Sequence, residues 1–323
     1  MRVSGKTGWL QNAAYAWLMA LLLLAFFAPC LPLQWAFGRL DVLRIAAPPS
    51  AIHYLGTDPY GRDVLADLLL GARTLLAVGL PAALLTSLIG ILLGASAGFW
   101  GNQQLRIPSV YFVGVLPGIL AVCVFGVSWP VVPAALLGLI ASWALHYFRS
   151  SQYKIVFPVD SIVLAAMLWL GAIPRIILIL VLCAAIDLTP PALVALLALT
   201  SWPATARLAR AEVQRLRMLP FIEAAKVSGL PPIRIVWHHI LPNAWPVLRA
   251  AIPLNLSACL TFQTTLAFLG LGLPDGATDW GRMLSLAKLE PTAWWLIVFP
   301  CVALATTFLA LRVATPTHSR TSA

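Results

Sequence analysis

Apolar residues gather into eight long blocks, near residues 13–33, 74–99, 107–127, 130–148, 160–186, 191–206, 244–270 and 293–313. A helix needs roughly 20 apolar residues to cross a bilayer, and in hydrocarbon a helix satisfies its own backbone groups. Each block therefore predicts a membrane-crossing helix, and together they predict an all-α, polytopic transmembrane helical bundle of about eight spans. Pro81, Pro117, Pro133, Pro174, Pro253 and Pro300 free backbone groups that neighbouring helices must satisfy. Gly90, Gly94 and Gly98 recur every fourth residue, a spacing that lets helices approach closely and reads as bundle packing.

Composition sharpens this picture. The chain is 61% hydrophobic and 10% charged, against about half and about a quarter in soluble domains. Too few charges remain to clothe a soluble multi-domain enzyme, and disorder and collagen-like repeats fail on the same ground. A net charge of +10 would suggest nucleic acid for a soluble protein. Here it reads as basic cytoplasmic loops, with lipid and not nucleic acid as the surrounding partner. Alternation from an internal N-terminus puts thirteen Lys and Arg residues inside and five outside, which predicts a multi-pass chain with both termini cytoplasmic. The first block is long for a secretory signal, and Pro29 precedes Cys30 where a lipoprotein needs a small residue, so a retained first span is expected. The five cysteines lie in apolar stretches without metal spacing and read as small core residues.

The predicted organisation is a tail and first span over 1–34, an external loop with an amphipathic helix over 35–73, a transmembrane core over 74–313 and a cytoplasmic tail over 314–323. In the external loop, Thr57-Asp58-Pro59 reads as an N-cap with proline at the first helical position, followed by a helix from Gly61 to Leu70. Val64, Leu65, Leu68 and Leu69 would form its apolar face. It suits either a receiving or gating surface or a simple capped surface helix. Arg175 follows Pro174 inside a predicted span, where a charge points to a pathway or a buried partner, or snorkels beside the kink. Arg249, nearer the cytoplasmic end, reads as a snorkelling side chain.

The longest polar, basic stretch runs over 207–243. Pro220 suits the first turn of a helix over Phe221 to Ser228, Glu223 lies in its first turn, and Gly229 fits a left-handed cap before Pro231-Pro232. Ala224 and Ala225 are small enough for another surface to approach. A second short helix from Ile233 to His239 would end before Pro242. Such a rod between two spans is either a lever or an amphipathic helix resting on headgroups.

Three motifs carry a family resemblance. Glu223-Ala224-Ala225, Gly229 after three intervening residues, and His239-Ile240-Leu241-Pro242-Asn243 resemble the EAA loop of ATP-binding-cassette (ABC) importer permeases. Leu55-Gly56-Thr57-Asp58-Pro59-Tyr60-Gly61-Arg62-Asp63-Val64 with Gly71-Ala72-Arg73 is similar to the external segment of the dipeptide/oligopeptide/nickel branch. So is Leu266-Ala267-Phe268-Leu269-Gly270-Leu271-Gly272 with Trp280-Gly281. The matches cover residues about 52–100 and 158–300, and the chain resembles the second permease subunit of such an importer. The resemblance implies a bacterial inner-membrane, non-enzymatic subunit that moves peptides or a similar small solute, nickel or a metal chelate included, into the cytoplasm. It implies a heterodimer with a second permease, two ABC ATPases that carry the ATP and Mg, and an extracytoplasmic substrate-binding protein. Glu223, Ala224, Ala225 and Gly229 would touch an ATPase, and Leu241 and Pro242 would fix the loop's return to the membrane. Gly56, Thr57, Asp58, Gly61, Arg62 and Asp63 would form the external motif.

Residues 107–148 depart from the branch and read as an extra hairpin on a six-span core. Asp67 stands where relatives often have arginine. Gly5-Lys6-Thr7 lacks the leading glycine and strand of a phosphate loop, so no nucleotide or other cofactor is expected on this chain. His238-His239 cannot share one side of a helix, and no metal site is expected. A stand-alone secondary transporter is the alternative, but no ion-coupling acid lies in the spans. An intramembrane enzyme would need a nucleophile–base pair, and none is evident.

Overall fold

The computed structural model describes residues 4–28, 39–102, 106–108, 154–185, 189–272 and 278–315. Five helices are long and apolar enough to cross a membrane: α1 (Ser4–Phe27), α2 (Val64–Trp100), α5 (Pro190–Arg217), α9 (Ala251–Phe268) and α11 (Trp295–Ala314). The helices α3 (Val159–Ala172) and α4 (Arg175–Ala185) are together as long and apolar as a span but bend by 82° between them, as in a broken span or a re-entrant loop. The shorter helices are α6 (Pro220–Val227), α7 (Pro232–Ile235), α8 (Leu241–Leu248) and α10 (Trp280–Leu286), with a π-helical turn at Val236–Ile240. The described residues thus hold five candidate spans, or six if the bent pair is one. The extra hairpin expected over 107–148 lies outside the described residues except at 107–108.

The chain at the hairpin's two ends holds the one departure from an all-α description among the described residues. Strands β1 (Arg106–Pro108) and β2 (Lys154–Val156) pair antiparallel, with Arg106 opposite Val156. The chain therefore leaves and re-enters the core at one place.

Helices α2 and α5 form the spine. A Cβ on Gly90 would sit 2.6 Å from Thr205 Cβ, one on Gly98 2.8 Å from Arg210 O, and one on Gly94 would overlap Ala206 O. The glycine stripe is thus a backbone-to-backbone contact. Leu21, Leu75, Leu260, Trp280 and Leu296 centre the core where α1, α2, α9, α10 and α11 meet, while Ile179, Leu193, Leu197 and Leu266 pack α4, α5 and α9 against the middle of α2.

Element boundaries differ from the predicted ones for physical reasons. The external helix and the following span are one helix of 37 residues, about 55 Å at 1.5 Å per residue. Asp63, not Thr57, is its cap, accepting from Ala66 N. Asp67 is buried beside the apolar residues of its first turns. Helix α5 continues past the apolar block to Arg217 because Leu, Ala, Arg and Glu favour helix, and its last basic residues find partners. Arg210 binds Asp160 in a two-pronged pair (2.5 and 2.7 Å), Arg215 binds Glu212, and Arg217 donates to Phe99 O at 2.8 Å. Block 160–186 breaks at Pro174, whose ring opposes helix before it. Block 244–270 breaks at 249–250.

Candidate functional site

Helix α6 and its neighbours gather at the Trp100 end of α2. Ile222 and Ala225 are buried with Phe99, Val213, Ile235 and Ile240. At the other end of the rod, Gly229 adopts φ +77°, with Leu230 N donating to Ala225 O and Gly229 N to Lys226 O. That pair of bonds is the Schellman termination. A Cβ on Gly229 would meet nothing within 4 Å, so the glycine is there for its backbone angle and not for space. Glu223, Ala224 and Gly229 face outward, while Ala225 is turned into the core and offers no surface to another chain. That corrects its expected place in the contact: a short rod seated on one face must bury the residue three positions from Ile222. The outward face adds apolar side chains that motif reading missed, Met218 at 77% and Val227 at 89% exposure, with Phe221, Ile233 and Trp237 nearby. On a membrane-spanning chain such side chains meet either lipid headgroups or another chain.

The second short helix also differs. Helix α7 runs through the π-helical turn directly into α8, with Leu241 N donating to Val236 O. Pro242 stands in the first turn of α8. Its ring would strike the His238 carbonyl in a regular helix, and the widened turn relieves this. Asn243 Nδ2 donates to His239 O at 2.6 Å. Leu241 is half-buried and Pro242 exposed at this junction. Among the described residues no three potential metal ligands come together.

At the opposite end of α2, the external motif is locked into the bundle. Thr57-Asp58 forms no helix cap. Asp58 Oδ1 accepts from Tyr60 N and Arg62 N (2.8 and 2.7 Å), closing a turn, while Asp58 Oδ2 is buried without a hydrogen-bond partner. Burial pushes the Asp58 carboxyl above its ordinary value, although backbone amides and the Arg62 and Arg282 guanidiniums pull the other way. His53 lies between Asp63 (Nδ1, 2.9 Å) and Asp41 (Nε2, 3.4 Å). Gly56 and Gly61 have φ near +80°, and a Cβ on Gly61 would meet Asp41 O at 2.5 Å.

The two external family segments meet here. Trp295 Nε1 donates to Thr57 O, and Trp280 Nε1 donates to Leu68 O (3.0 and 2.8 Å). Asp279 caps α10 through Gly281 N and accepts from Gln263 Nε2 at 3.0 Å. Burial pushes the Asp279 carboxyl up to about 6, against those hydrogen bonds. A cavity of about 370 Å³ opens beside Tyr60, with Phe268, Asp279, Arg282 and Lys288 in its walls. The EAA segment lies a full helix length away.

Between the two ends runs a polar seam that sequence reasoning missed. Asn255 Nδ2 donates to Ser87 Oγ and Thr205 Oγ1, both at 2.8 Å, joining α9, α2 and α5. Thr86, Thr200, Ser201 and Cys259 are buried along it. Arg175 enters from the bend of the broken span, with its guanidinium 4.7 Å over the Phe262 ring and Nη1 3.5 Å from Ser201 Oγ. A lone asparagine in an apolar block was the available signal.

Over residues 134–315, more than half its length, the chain matches the family described as binding-protein-dependent transport system inner membrane component. It belongs to that family, and is therefore a multi-pass inner-membrane permease subunit of an ABC importer and not a stand-alone carrier. The dipeptide transport system permease protein DppC of Bacillus subtilis is 25% identical, over 82% of this chain and 67% of that one. The oligopeptide transport system permease protein OppC of the same organism is 23% identical, over 92% and 79%. The inward-facing MetNI methionine ABC transporter gives a TM-score of 0.35 at 18% identity, over 75% of this chain and 97% of that one.

Proposed function

We propose that this subunit moves peptides into the cytoplasm and is driven through α6 by a cytoplasmic ABC ATPase. The observation that carries the reading is the outward apolar face of α6, held on a rod whose inner face is packed against the ends of α2 and α5. A push on that face is transmitted to the two spine helices, because Ile222 and Ala225 leave no slack between them. The contact surface is Glu223, Ala224 and Gly229 with Met218, Phe221 and Val227, while Leu241 and Pro242 set the angle at which the chain returns to the bundle. The peptide substrate follows from what the Bacillus subtilis relatives are named for. A second permease, a pair of ATPases holding ATP and Mg, and an external substrate-binding protein complete the assembly. Orientation follows the basic residues: the α6 end and both termini inside, the 39–63 loop outside. Gly56, Thr57, Asp58, Gly61, Arg62 and Asp63 form the rigid external rim, and the seam with Arg175 lines the route between the two ends.

Gly229→Val tests the coupling. A β-branched residue opposes positive φ, so the assembled complex should lose tenfold or more of ATP-driven uptake while the subunit still inserts. Retention of both uptake and stimulated ATP hydrolysis would show that α6 is not the transmission element.

A further inference from the structure

We infer that Arg175 is a carboxylate-recognising station that makes the permease itself selective for solutes with a free carboxylate. The inference rests on the importer reading above and names the substrate class that the seam accepts.

Its depth comes first. Ser201, which Arg175 touches, stands eleven residues into α5 from Pro190. That is roughly 17 Å along the axis, near the middle of a hydrocarbon layer about 30 Å thick. The side chain is half-buried between α5 and α9, so it is aimed into the bundle and does not snorkel toward a headgroup.

Its lack of an internal counter-charge comes second. Near the end of α5, Arg210 pairs with Asp160 and Arg215 with Glu212. Among the described residues no carboxylate pairs with Arg175. The charged side chain that bears on it is another cation, Arg207, beside the thiol of Cys259. A buried charge in a membrane bundle ordinarily finds a partner within the protein. Here the partner has to arrive.

The geometry suits that visitor. A guanidinium has five N–H donors in a plane. The guanidinium lies over the Phe262 ring and Ser201 occupies one donor, which leaves N–H groups free for two bonds to a carboxylate. The polar neighbours Ser201 and Cys259 are buried and carry no carboxylate, so they do not compete for the arginine. The 82° bend at Pro174 is what brings the guanidinium to this position.

The test uses the whole importer in proteoliposomes: this chain, its partner permease, the ATPases and the binding protein. ATP-driven uptake of trialanine is compared with that of trialanine amide, which lacks only the carboxylate, for wild type and R175Q. The binding protein is the same in both, so a change in the acid-to-amide ratio reports the permease. R175Q should lower the ratio about tenfold, the scale of one charge-assisted pair, by losing acid uptake while amide uptake persists. R175K should fall between. F262L, which frees the guanidinium plane, should lower the ratio in the same direction and serves if R175Q does not assemble. An unchanged ratio, or equal loss of both substrates, in the assembled variants overturns the station while leaving the importer reading intact. Wild-type complex that takes up neither peptide overturns the peptide reading and the station with it.

Discussion

The two ends of α2 are finished differently. At the Val64 end, two indoles donate to backbone carbonyls, two glycines turn with positive φ, and Asp58, Asp63 and Asp279 are all buried. At the Trp100 end, α6 rests on two inward side chains and leaves Met218, Phe221 and Val227 in the open. The first end ties distant segments together through its polar groups, although Asp58 Oδ2 has no hydrogen-bond partner and Val42 and Leu43 stay exposed. The second end holds its shape on a buried inner face and leaves an apolar outer face to headgroups or to another chain. The proposed coupling needs that outer face to be gripped.

The largest expected effect lies on the spine that joins the poles. Gly94→Val would place side-chain atoms on the Ala206 carbonyl, where neither helix can retreat. Loss of more than about 4 kcal/mol is expected, seen as absence of monodisperse protein after detergent extraction. Normal yield would mean that α2 and α5 are not in backbone contact.

A smaller effect separates the two alanines. Ala225→Trp overpacks the cluster under α6 and should cost about 1–3 kcal/mol in thermal unfolding of the isolated subunit. Ala224→Trp, on the exposed face, should leave that stability within about 0.5 kcal/mol yet weaken co-purification of an ATPase. Equal effects of the two variants would break the distinction between the inner and outer faces of the rod.

The smallest effect sits at the locked pole. The Asp279 carboxyl is raised from 3.8 to about 6 by burial, so the folded state holds more protons than the unfolded state between those values. Stability therefore falls as pH rises through that window and is level above it. Lowering the pH from 7.5 to 5 should add about 1 kcal/mol at this group, with Asp58, shifted the same way, adding to it. Asp279→Asn should flatten the Asp279 share of the profile in a thermal-unfolding series. An unchanged slope would place the pH dependence elsewhere.

The sequence disclosed the parts whose cause is local. Apolar blocks predicted α11 to within two residues, and Gly229 before Pro231-Pro232 announced the end of α6. The blocks failed where a helix outruns its bilayer-crossing segment, since hydropathy marks immersion and not helix length. Arg207–Arg217 are as helical as the residues before them. The inward turn of Ala225 was hidden because two adjacent alanines on a short rod do not say which one faces the protein. The Asn255 seam was hidden for a different reason: its hydrogen bonds join positions 50 and 168 residues apart, and no local pattern encodes such a meeting. The external motif could be read as a unit, but not its anchoring by Trp295, which comes from a helix start far along the chain.

The short ladder between Arg106–Pro108 and Lys154–Val156 carries a consequence for how such a chain can diversify. It works like a zip that closes the core behind whatever is threaded between its two sides. Pro108 and Lys154 are register partners, so the two sides of the core on which the intervening stretch is mounted are held together whatever its length.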